Sequence, residues 1–191
     1  MHVTDTIRFI TANNVVVERT IVGKARHPDY QPYYPDLTIY TLDSPLPGTI
    51  TPCKILPANY ATYLSDVERH RPPVIVMDQQ EKARVFDLFA LANGVGGTKP
   101  TLAPDREAFY ELGLGQEDSG NPVFLIVNDA LVLLTTQSNI GTGTFVTPHL
   151  SALNAMIAAA DAHATSRGFP VNSGLQVQTI DLSGFSPFTP P

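Results

Sequence analysis

The sequence predicts an all-β fold with one helix near its C-terminus, and three observations lead there. Seventeen prolines and thirteen glycines are spread along the 191 residues and punctuate short apolar runs. Several of those runs alternate apolar and polar residues, the two-residue period of a half-buried strand. Only one segment carries the helical period. Hydrophobic residues make up 43% and charged residues 16% of the chain, which provides a core for one large β domain or a pair of small barrels.

In chain order, a first set of strands is expected at 6–11, 15–22, 36–43 and 51–56. A second set follows at 73–78, 83–88, 122–127, 130–136 and 143–146. Asn13-Asn14 and Asn128-Asp129 separate neighbouring runs and suit tight hairpin turns, because Asn and Asp tolerate positive φ. Antiparallel pairing follows from such short connections. The glycine-rich stretch 93–97 lacks the strand-to-helix context of a phosphate cradle and reads as a flexible loop. The helix is expected over 149–165, where Leu150, Leu153, Ile157 and Ala160 recur at helical steps, with Thr147 as N-cap and Pro148 at the first position. Beyond Gly168 the chain turns polar and proline-bearing and is expected to run extended over the surface. The charged interruption at 66–71 separates the two strand sets, which divides the chain into a β unit at 1–65, a β unit with the helix at 66–168, and a tail at 169–191.

Twelve Lys+Arg against eighteen Asp+Glu give a net charge of −6 with no basic cluster, so nucleic acid is excluded as a partner. No apolar run is long enough to span a bilayer, and no membrane partner is expected. The single cysteine, Cys53, excludes an intramolecular disulfide and any cysteine-based metal site. His70, His149 and His163 lack Cys, His or Glu partners at ligand spacing, so neither metal nor cofactor is expected.

The stretch Gly115-Gln116-Glu117-Asp118-Ser119-Gly120-Asn121-Pro122 runs directly into the apolar strand that follows. As a local pattern it is either a polar surface turn or a serine nucleophile on a turn, and a serine hydroxyl needs an adjacent base and oxyanion donors to attack. Asp118-Ser119-Gly120-Asn121-Pro122 resembles the Gly-Asp-Ser-Gly-Gly-Pro turn of the trypsin-like (chymotrypsin-fold) serine proteases, departing from it at Asn121. The resemblance puts Ser119 in the place of the nucleophile. Upstream, Tyr34-Pro35-Asp36-Leu37-Thr38-Ile39-Tyr40-Thr41-Leu42-Asp43-Ser44-Pro45-Leu46 resembles the family's Asp-Ile-Ala-Leu-Leu-x-Leu-x-x-Pro-Leu segment. It puts Asp36 in the place of the aspartate that orients the catalytic imidazole. The alternative for Asp36 alone is a strand-entry residue capping a turn.

In the family the histidine precedes the aspartate, which leaves His2 and His27. His27, in Arg26-His27-Pro28-Asp29-Tyr30, resembles a variable loop whose histidine is solvated. His2 precedes two strand-like runs, as the catalytic histidine does, and is the expected base. That assignment leaves no strands ahead of the histidine. The resemblance therefore implies two antiparallel chymotrypsin-like β-barrels, the first incomplete, in a chain truncated at its N-terminus. It also implies secretion, with any signal outside this chain.

The backbone N–H groups of residues 117 and 119 would form the oxyanion hole, and Glu117 stands where the family has glycine. By the same resemblance Gly113 and Leu114 lie at the base of the specificity pocket and Gly143 on its opposite wall, with Thr136, Gln137 and Ser138 along the substrate backbone. No carboxylate falls at the base, which implies a small or apolar side chain at the cleaved residue. The expected function is a serine endopeptidase acting on protein or peptide substrates through an acyl-enzyme. The alternatives are a catalytically inactive homologue serving as a binding or structural module, and an unrelated β protein whose turns imitate the motifs.

Overall fold

The computed structural model describes residues 5–11, 13–31, 34–65, 67–78, 82–92, 94–100, 119–139 and 141–185. Its strands are β1 (Thr6–Ile10), β2 (Val16–Arg26), β3 (Thr38–Leu42), β4 (Lys54–Ile55), β5 (Pro73–Met77), β6 (Ala83–Ala92), β7 (Val95–Pro100), β8 (Pro122–Val127), β9 (Ala130–Asn139) and β10 (Thr142–Phe145). A single-turn helix, α1 (Val67–His70), and a long one, α2 (Leu150–Ser166), complete the elements used below.

The chain forms two compact units, each assembled from separated stretches of sequence. The first takes in residues 1–29, 37–52 and 151–177. Its sheet has three antiparallel strands in the order β1-β2-β3. β2 runs to Arg26, past the expected end at residue 22, with an irregularity in its pairing to β3 between Ile21 and Gly23. Gly23 lies so close to α2 that an added Cβ would strike the carbonyl of Ala160 and come within 2.9 Å of Ala164 Cβ. A glycine at this point lets helix and strand approach closely. Val22, Leu153, Met156, Ala160 and Ala164 are buried in this unit.

The second unit takes in residues 30–36, 53–150 and 178–191. Its sheet runs β10-β7-β6-β5-β8-β9, and a further antiparallel pairing of β10 with β9 closes it into a six-stranded barrel. Closure leaves no free edge around the ring. The inward residues alternate as a half-buried strand requires: β8 buries Val123, Leu125 and Val127 and exposes Ile126. Val74, Val76, Phe86, Leu88, Val132 and Phe145 fill the same core. The β8–β9 hairpin turns on Asn128 and Asp129, with φ of 48° and 59°, as the pair of residues predicts. Of the two sheets, one closes into a barrel, and the sheet of the first unit has three strands among the described residues.

Three local expectations are corrected. Residues 95–97 of the glycine-rich stretch lie in β7, paired to β6 and β10; an added Cβ at Gly96 would collide with Thr135 Cγ2 and one at Gly97 would lie 2.7 Å from the Phe89 ring. The glycines answer to tight contact, not to flexibility. Thr147 does not cap α2: it lies inside a 3-10 turn, Thr147–His149, and its hydroxyl donates to the Leu56 carbonyl at 3.1 Å. The tail is extended, but Thr179 bridges to Ile55 and the neighbouring Ile180 and Leu182 are buried at 8% and 6% exposure.

Candidate functional site

Ser119 and Gly120 form an exposed turn at the entry to β8. Gly120 has φ of +90°, a conformation glycine adopts without strain. Two backbone hydrogen bonds hold the turn to β9: the Gly120 N–H donates to the Gln137 carbonyl at 2.6 Å, and the Gln137 N–H donates to the Asn121 carbonyl at 2.9 Å. Both backbone groups of Gln137 are thereby engaged with the serine turn.

Asp36 is an exposed residue next to buried Pro35 and Leu37. Its N–H donates to Thr144 Oγ1 at 3.0 Å, and Thr144, in β10, has no solvent exposure. The segment gains a second attachment at Tyr34, whose hydroxyl lies 3.5 Å from His149 Nε2 with the rings edge to face at 5.8 Å. An added Cβ at Gly94, where φ is +75°, would run into the Tyr34 ring, so glycine is required beneath it.

The two attachments meet on one ladder. In the β9–β10 pairing, Gly143 faces Gln137 and Thr144 faces Thr136. The serine turn hangs from Gln137 and Asp36 from Thr144, so Ser119 and Asp36 are anchored on consecutive rungs although 82 residues separate them in the sequence. Barrel closure brings these anchors together.

The other expected residues are placed as follows. Thr136, Gln137 and Ser138 lie in β9 and Gly143 in β10. Gly143 is buried, and an added Cβ there would strike the Thr136 carbonyl. His2, Gly113, Leu114 and Glu117 lie outside the described residues. His27, expected to be solvated, is 5% exposed; its Nδ1 accepts the Asp29 N–H at 3.1 Å and its own N–H donates to the Leu37 carbonyl. Among the described residues no group of three or more His, Cys, Asp or Glu side chains is gathered as a metal site would need.

Thr144, Tyr34 and His149 are the residues that sequence reasoning did not assign to the site. A single threonine in a four-residue strand carries no motif, and its role arises only when β10 closes the barrel. Compared with known proteins, the chain matches no protein-family model and no curated protein.

Proposed function

We propose that the chain is a serine endopeptidase of the trypsin-like kind, in which Ser119 attacks the scissile carbonyl, His2 takes and returns the proton, and Asp36 orients His2. The resulting acyl-enzyme is released by water. On this reading the N–H groups of residues 117 and 119 receive the developing oxyanion. The observation that carries the proposal is the anchoring of Asp36 and the Ser119 turn on consecutive rungs of the β9–β10 ladder. An exposed serine on a tightly held turn at the mouth of a closed barrel also fits a nucleophile that must meet a peptide.

The test is labelling by a fluorophosphonate, followed by mass-spectrometric mapping. The proposal expects the label on Ser119, its loss in Ser119→Ala, and a fall of about four orders of magnitude in acylation rate for Asp36→Asn. A label on another residue, or none, overturns it. Glu117, where the family has glycine, favours a second reading: an inactive homologue that keeps the fold as a binding module. An unlabelled Ser119 that becomes labelled in Glu117→Gly selects that reading.

A further inference from the structure

A parallel ladder in the second unit stops short at Pro57. The Ile55 N–H donates to the Gln178 carbonyl and the Ile180 N–H to the Ile55 carbonyl, both at 2.9 Å, so that Ile55 is bridged to Thr179. The next rung of such a ladder would bridge residue 57 to Asp181, with the N–H of residue 57 donating to the Ile180 carbonyl and the Leu182 N–H donating to the carbonyl of residue 57. Proline has no N–H to give. The Pro57 carbonyl accepts the Tyr60 N–H at 3.0 Å instead, which turns the chain into the 3-10 turn Tyr60–Thr62. Among the described residues nothing donates to the Ile180 carbonyl and nothing accepts the Leu182 N–H.

Where the two segments part, a cleft of about 330 Å³ opens, with Pro57, Asn59 and Tyr63 on one wall and residues 179–183 on the other. That volume lies in the range of ligand-binding clefts. Ile180 and Leu182 are 8% and 6% exposed and their side chains belong to the barrel core, so what they offer the cleft is backbone. Asp181 is exposed and is the one charged residue of the lining. Its Oδ1 accepts the Ser183 N–H at 2.8 Å; that bond, the Ser183 hydroxyl and, more weakly, Lys54 hold its carboxyl below the ordinary range. Lys54 is exposed on β4 and does not line the cleft. Asp181 therefore presents an anion there at neutral pH, on a chain whose net charge is −6.

We infer that the cleft binds an extended peptide, one residue of which takes the rung that Pro57 leaves open and carries a Lys or Arg side chain. The N–H of that residue donates to the Ile180 carbonyl and its carbonyl accepts the Leu182 N–H, the two-point pairing by which a strand is added to a sheet. A residue so placed is the bridge partner of Asp181. Its side chain leaves the backbone on the same face as the Asp181 carboxylate, where opposite charges attract and a second carboxylate is repelled. The inference makes no use of Ser119 and is independent of the protease reading.

The test titrates acetyl-Val-Lys-Val-amide into the whole 15N-labelled chain, carrying Ser119→Ala so that the probe is not turned over. The Leu182 amide resonance should shift and saturate as its N–H gains an acceptor. Methylating the lysine backbone nitrogen removes the donor to Ile180 and should weaken binding about tenfold, the worth of one hydrogen bond. The glutamate peptide, acetyl-Val-Glu-Val-amide, should bind at least about tenfold more weakly than the lysine peptide, because two carboxylates then face each other. Asp181→Asn, a change at an exposed position, should remove that preference while the Leu182 resonance still shifts. A Leu182 resonance unmoved by the lysine peptide overturns the site. Equal binding of the N-methylated peptide overturns the strand pairing, and equal binding of the lysine and glutamate peptides to the chain with Asp181 overturns the choice of a basic side chain.

Discussion

The Asp36 N–H donates to Thr144 Oγ1 at 3.0 Å, joining the start of a loop-borne segment to a threonine with no solvent exposure in the last strand of the barrel. Thr144 sits one rung from the Gly143–Gln137 pair that supports the serine turn. The Thr144 hydroxyl thus ties Asp36 to the β9–β10 ladder, alongside the Tyr34–His149 contact, and its removal should be felt in stability and, on the protease reading, in the rate at Ser119.

Thr144→Val keeps the shape and deletes the acceptor, which leaves the Asp36 N–H unpaired at a cost of about 1–3 kcal/mol. Urea denaturation should show the loss. If the proposed protease activity holds, Thr144→Ser, which keeps the hydroxyl, should restore most of the fluorophosphonate labelling rate at Ser119 that the valine variant loses. Equal rates in the two variants would show that the hydrogen bond does not position Asp36.

The turn itself can be tested at Gly120. No atom lies within 4 Å of an added Cβ, so alanine meets no clash and pays only the backbone strain of φ near +90°. Gly120→Ala should cost about 1–2 kcal/mol. Amide exchange at residues 120 and 137 should accelerate together, since their backbone groups hold the turn to β9.

Gly23→Ala should be destabilising by about 1–3 kcal/mol through overpacking against α2. The nearest obstacle is the Ala160 carbonyl, a backbone atom, with Ala164 Cβ next. Adding Ala164→Gly should therefore fail to restore the thermal midpoint.

Asp161 supplies a pH-dependent prediction. It is 9% exposed, and burial alone pushes its carboxyl up. The Ser173 hydroxyl and N–H and the Thr41 hydroxyl donate to it at 2.7, 2.8 and 3.0 Å and together hold it below its ordinary range. With the folded value below the unfolded one, the stabilisation is complete at neutral pH. It is lost as the pH falls from about 4, the ordinary aspartate value, through the lower folded value. Asp161→Asn should be less stable by about 2 kcal/mol at pH 7, the scale of hydrogen bonds to a charged group. The gap in urea midpoint should narrow as the pH is lowered through that window.

Most strands, the Asn128-Asp129 turn and the course of α2 were determined by local sequence, because alternation, helical spacing and positive-φ residues act within a few positions of one another. The Ser119 and Asp36 segments were legible for the same reason, each being a short run of residues. Tertiary structure decided what depends on distant partners. The glycines at 96 and 97 belong to a strand because β6 and β10 pair with it on either side, and Thr147 is drawn from its capping role by a carbonyl 91 residues away. His27 is buried, with its Nδ1 accepting the Asp29 N–H and its backbone N–H donating to the Leu37 carbonyl, although its loop reads as solvated. The shared anchoring of Ser119 and Asp36 exists only because β10 pairs with β9, a closure whose free energy comes from burying the inward faces of six strands at once.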